Sequence, residues 1–145
     1  MNRWYETGAV LHTTHCEIIL AESLLREGRP APARAHLDRA RAHLASYGEE
    51  YVAAEIDRLE ALLQQHKRAS AEIVEEYLAN SLTTARRQGA RLLELRTATT
   101  LARVLAEKNE RHKAIDLLAP IYGWFTEGFD TPDLKTAKAL LEELA

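Results

Sequence analysis

Cysteine is nearly absent: Cys16 stands alone, so no internal disulfide can staple the chain, and a reducing compartment suits it. Glycine and proline are few, six and four in 145 residues, and they gather between apolar stretches rather than inside them. No apolar run approaches the roughly 20 residues that span a bilayer, and Met1-Asn2-Arg3-Trp4-Tyr5-Glu6 lacks the apolar core of a signal peptide. Charge of one sign is lacking too. A formal net charge of −3 and a pI near 6.1 exclude a strong general pull toward nucleic acid or anionic membrane. Enzyme signatures are missing: there is no phosphate-cradling Gly-rich loop, no Gly-x-Ser-x-Gly elbow and no His-Glu-x-x-His. These absences describe a cytoplasmic, non-enzymatic chain without a cofactor, with no membrane and no direct nucleic-acid partner.

What is present is helix-forming. Hydrophobic residues make up 46% and charged ones 28%, the balance of a folded domain rather than a disordered one, and Ala, Leu, Glu and Arg dominate. Breaks at Gly28-Arg29-Pro30, Ser46-Tyr47-Gly48, Lys67 to Ser70, Gln88-Gly89, Lys108-Asn109 and Gly123 to Pro132 cut it into segments of about 15 to 20 residues, a helical length. Inside them apolar residues recur at three and four. Examples are Ile18, Ala21 and Leu25, then Ala33, Leu37, Ala40 and Leu44, and later Leu95, Ala98, Ala102 and Leu105. No segment alternates with period two, so the fold class is all-α.

The breaks have local causes. Gly28, Gly48 and Gly89 suit left-handed C-caps. Ser70, Asn109 and Thr131 suit N-caps, and Pro132 suits a first helical position. Pro120 is expected to kink or end its helix near Ala119. The helices also repeat in pairs. Ala21 aligns with Ala102, Leu24 with Leu105, Gly28 with Asn109, Ala33 with Ala114 and Leu37 with Leu118. A middle copy places Glu60, Leu63, Ile73, Tyr77 and Ser81 in the matching positions, with one extra residue in its turn around Lys67 to Ser70 and its small positions degraded. Pairs about 40 residues apart predict a short solenoid: a single domain over 1–145, with helix pairs at about 10–47, 49–88 and 90–124 and a capping helix at about 131–145.

The run Ala21, Leu24, Gly28, Ala33, Leu37 and Ala40 resembles the tetratricopeptide consensus, although the repeat exceeds the usual length of about 34 residues. Ala85-Arg86-Arg87-Gln88-Gly89-Ala90 with Leu93-Glu94-Leu95-Arg96, and the stretch from Leu117 to Thr131, resemble the C-terminal tetratricopeptide region of bacterial regulatory proteins. Those proteins join such an array to an adenylate-cyclase or winged-helix DNA-binding domain and a nucleotide-binding ATPase. The resemblance runs over roughly residues 10 to 145. It implies a protein–protein interaction module in signal transduction or transcription regulation and carries over no catalytic residue. Two alternatives stand beside it: a small-ligand sensor, and a separated piece of a cyclase or ATPase regulator.

Candidate sites follow from placement. If the first helix of each pair lines a groove, its contacts are Ile18, Glu22 and Leu25, then Asp57 and Ala61, then Arg96, Thr99 and Arg103. Such a groove would pass from apolar and acidic to basic and take a protein or peptide segment of mixed charge, or else serve only as a spacer. Tyr122, Trp124, Phe125 and Phe129 form an aromatic turn expected to fold over the preceding helix, its tryptophan buried. Trp4, Tyr5 and Leu11 are expected to cover the first helix or to bury its face in a homodimer. His12, His15 and Cys16 share one helical face, with His36 and His43 as further ligand candidates. A small buried cysteine beside groove-lining histidines is the alternative to metal there. Arg34, His36, Arg39, Arg41 and His43, and separately Arg86, Arg87 and Arg91, lack interleaved aromatics and suit solvated helix faces better than a nucleic-acid contact. Glu72, Glu75 and Glu76, like Glu142 and Glu143, suit solubilising charges.

Overall fold

The computed structural model describes residues 13–48 and 50–145. Among them the secondary structure is helical throughout, with no strand: α1 (Thr13–Arg26), α2 (Pro30–Tyr47), a 3-10 turn (Glu50–Val52), α3 (Ala53–His66), α4 (Ala71–Gln88), α5 (Arg91–Glu107), α6 (Arg111–Gly123) and α7 (Pro132–Leu144). The chain divides into two compact units, the first ending at Ala69 and the second running from Ser70 to Ala145. That boundary falls within 49–88, the span of the middle helix pair expected from sequence.

In the first unit α1 and α2 form a hairpin, and α3 packs against both. Close approach needs small residues, and Ala21, Ala33 and Ala40 are shielded from solvent on the facing stripes. Around them Ile18, Leu25, Leu37, Val52, Ile56, Leu59 and Leu63 complete a core. In the second unit α5 packs against α4, α6 and α7, and α6 also meets α7. Its core repeats the recipe, with Ala98, Ala102, Ala114 and Ala137 at the contacts and Leu82, Leu95, Leu118, Leu134, Leu140 and Leu144 filling the rest.

The turns carry the repeat in their backbone. Gly28, Arg68 and Asn109, about 40 residues apart, all adopt left-handed φ, at 72°, 57° and 64°. In each turn the next amide reaches back five residues. Arg29 donates to the Leu24 carbonyl at 2.9 Å, Ala69 to Gln64 at 3.0 Å, and Glu110 to Leu105 at 2.8 Å. Each bond satisfies a carbonyl that the helix end would otherwise leave unpaired. Arg29 and Glu110 then cap the following helices directly, whereas Ala69 intervenes before Ser70. This is the extra residue expected in the middle turn.

Three details depart from the sequence reading. The middle copy is shifted by one position. With Arg68 as the left-handed residue, Ala61, Val74 and Leu78 occupy the core places, all three buried, while Ile73 is 43% exposed and Tyr77 half-buried. The first-helix small position is therefore intact as Ala61, and only the second is enlarged, to Val74. Asn109 serves as a left-handed terminator of α5, and Glu110 takes the N-cap place. Helix α6 does not end near Ala119 but runs through Pro120 to Gly123. A proline so near the end forfeits one amide donor in a last turn, and the helix absorbs that loss.

Candidate functional site

The acidic end of the expected groove is closed by packing and ion pairing. Ile18 and Leu25 belong to the core, because their spacing puts them on the Ala21 stripe that faces α2 and α3. They are not groove contacts, and Ala61 is buried as well. Glu22 accepts from Arg58 at 3.1 Å and from Arg26 at 3.0 Å. Arg58 is itself buried and also binds Glu55 at 2.5 Å. Burial opposes the Arg58 charge, but the Glu55 and Glu22 carboxylates outweigh it and hold the guanidinium's pKa above its usual value. Asp57 is half-buried; burial lifts its carboxyl above the ordinary range, against the pull of Arg41 and with a push from Glu60.

The basic residues of α2 are counter-ions rather than a free face. Arg34 grips buried Glu60 with two bonds, at 2.8 and 2.9 Å, and Arg41 and Gln64 add a third and fourth at 3.1 and 2.9 Å. Burial pushes Glu60 up, yet the Arg34 and Gln64 hydrogen bonds and the charges of Arg34 and Arg41 prevail, lowering it to about 2. Glu17, almost wholly enclosed, meets His36 Nδ1 at 2.5 Å and Arg39 at 3.3 Å. His43 stacks on Tyr47 with centroids 5.7 Å apart. His15 and Cys16 are exposed on α1, and among the described residues no group of three or more His, Cys, Asp or Glu is placed to hold a metal ion. His12, like Trp4, Tyr5 and Leu11, lies outside the described residues.

At the basic end, Thr99 is buried and donates its hydroxyl to the Leu95 carbonyl at 2.8 Å, a helix-internal bond that removes it from any open surface. Arg96 ties α5 to α7 through Asp133 at 2.8 Å. Arg103 is different. It lines an open cleft of about 550 Å³ with Ala106, Glu107, Asn109 and Arg111, and with Leu140, Glu143 and Leu144 of α7. The α5–α6 turn supplies one wall and the last turn of α7 the other, and Leu140 and Leu144 extend the core into its floor.

The aromatic turn only partly folds inward. The buried stripe of α6 runs Ala114, Leu118, Ile121 and continues to half-buried Phe125 at four-and-three spacing; Trp124 falls one position off it. Trp124 is therefore 54% exposed and Phe129 47% exposed, correcting the expectation of a buried tryptophan. Trp124 meets Phe125 edge-on at 5.3 Å, and Tyr122 meets Phe129 at 6.0 Å. The Arg91 guanidinium lies 4.9 Å from the Trp124 ring centroid, and Leu92 beside it is 42% exposed. The fold thus presents an aromatic surface edged by a cation, and the register of the α6 stripe is the sequence signal that sets Trp124 apart from core.

Among the described residues no helix is long and apolar enough to cross a membrane. Compared with known proteins, the chain matches no family model, no curated protein and no solved structure.

Proposed function

We propose that this chain is a non-catalytic helical-repeat module that binds other proteins, a short tetratricopeptide-like solenoid acting in the regulatory setting its sequence resembles. The observation that carries the reading is the Trp124 surface. A half-exposed tryptophan with Arg91 stacked on its ring and Phe125 edge-on to it, in a turn that also exposes Phe129, combines the residue types that dominate binding energy at protein interfaces. Its partial burial gives it little to do for stability. Trp124→Ala should cost only about 1 kcal/mol, most of it the lost cation–π and edge contacts.

The test separates binding from folding. A benzophenone side chain placed at Phe129 is photoactivated in extract of the source cell, and its adducts are identified by mass spectrometry. Excess unlabelled wild-type protein should suppress a discrete set of adducts, and excess Trp124→Ala protein of equal helicity should not. Equal suppression by both proteins would remove the Trp124 surface as the contact.

A further inference from the structure

We infer that the cleft between the α5–α6 turn and the end of α7 is a peptide-binding site, and that its occupant is an extended segment carrying an aliphatic side chain between an acidic and a basic one. This rests on the module reading only in taking the occupant to be a protein segment; the site itself is separate from the Trp124 surface.

Most arginines among the described residues are held by carboxylates, and those of this cleft are not. Arg34, Arg41 and Arg58 are held by carboxylates in the first unit, and Arg86, Arg91 and Arg96 in the second. Even Lys108, one residue before the turn's Asn109, contacts Glu75 at 2.7 Å and Glu110 at 3.5 Å. Arg103 and Arg111 line the cleft, and their side chains take no partner among the described residues. Glu107 and Glu143 line the same cleft and are likewise unpaired among those residues.

Two guanidiniums and two carboxylates therefore surround one space without neutralising each other across it. A purely anionic ligand would satisfy the arginines but meet Glu107 and Glu143, and a purely cationic one would meet the reverse. A ligand bearing both signs answers all four groups. Between them, half-buried Ala106 and the nearly closed edges of Leu140 and Leu144 form an apolar floor, and an aliphatic side chain laid on it removes chiefly its own apolar surface from water. The Asn109 side chain adds an amide that can bond a peptide backbone. A volume near 550 Å³ exceeds what one amino acid fills and lies in the range of ordinary ligand clefts. Guanidinium forks favour a carboxylate bidentately, so Arg103 and Arg111 take the acidic side chain and Glu107 and Glu143 the basic one.

The experiment uses the full chain and fluorescein-labelled peptides with the core Lys-Leu-Glu, the reversed order Glu-Leu-Lys, and versions with each charge replaced by Gln, read by fluorescence anisotropy. At least one order should bind saturably at low salt. Gln in place of the peptide's Glu, or Arg103→Gln or Arg111→Gln in the protein, should weaken it about tenfold or more. Glu107→Gln with Glu143→Gln should abolish the preference for Lys over Gln in the peptide. Arg103→Glu should lose the Glu-containing peptide and recover binding when that Glu is changed to Lys. All four positions are on the rim, and equal circular dichroism spectra establish that the variants fold. No saturable binding below millimolar peptide, or binding indifferent to these substitutions, overturns the proposal. Displacement of the peptide by equimolar free amino acids overturns it too, assigning the cleft to small molecules. The photo-crosslinking at Phe129 reads the other surface, so either idea can fail while the other stands.

Discussion

Glu60 lies in the core of the first unit's ion lattice, and its carboxylate is the acceptor for Arg34, Arg41 and Gln64. Because the folded protein lowers it from 4.5 to about 2, the unfolded chain binds the proton more readily. Stability from this group is complete above pH about 4.5 and drains away as the pH falls toward about 2. Glu60→Gln should remove on the order of 2 kcal/mol at pH 7 and flatten that part of the acid limb in urea titrations. The cost stays below that of stripping a fully enclosed pair, since Arg34 and Arg41 remain 29% and 41% exposed and can rehydrate. An unchanged acid limb would mean that Glu60 is not held as the structure shows. The importance of such residues was hard to foresee from sequence. Arg58 stands at the place in the middle copy that Ile18 holds in the first, and a charge there reads as solvent-facing. Its burial depends on Glu55, one turn away on the same helix, and on Glu22 of a different helix, and local periodicity carries no information about the second partner.

At the scale of elements, the turns were the most legible parts where glycine marks them and the least where it does not. Gly28 announces a left-handed C-cap because only glycine takes that conformation cheaply. Arg68 occupies the equivalent place at φ 57° with no chemical signature of doing so, and apolar spacing alone therefore sets the middle copy one residue early. The same physics gives paired predictions. Arg68→Gly should stabilise the protein by about 0.5 to 1 kcal/mol by relieving the left-handed strain, part of the gain being offset by glycine's freer unfolded chain. Gly28→Ala should destabilise by about 1 kcal/mol, and only through the backbone, since a Cβ built there meets nothing within 4 Å. Thermal melts of the two variants should move in opposite directions. If Arg68→Gly lowers the melting temperature, the arginine is making contacts that outweigh its backbone cost.

For the molecule as a whole, the legible part was the composition of each core and the illegible part was where one core stops. Alanines at helix crossings and leucines between them could be listed from spacing alone, and the buried sets match that recipe. The division after Ala69 has no marker of its own, because the turn there differs from its neighbours by a single residue. The second unit contains its own cluster of apolar side chains drawn from α4 through α7, a source of hydrophobic gain from contacts made inside it. Residues 70–145 expressed alone should therefore fold. With fewer than about 80 residues a single core supplies only about 3 to 5 kcal/mol, so the fragment should be modestly stable rather than robust. It should show a helical far-ultraviolet spectrum, one cooperative thermal transition, and dispersed methyl resonances from Leu95, Leu118 and Leu134. Its near-ultraviolet signal should include Trp124 held by Arg91, since both lie within the fragment. Helical content without cooperativity or dispersion would mean that the alanine-lined contacts of α5 with α4, α6 and α7 are insufficient, and that this core needs residues before Ser70 to become a single packed structure.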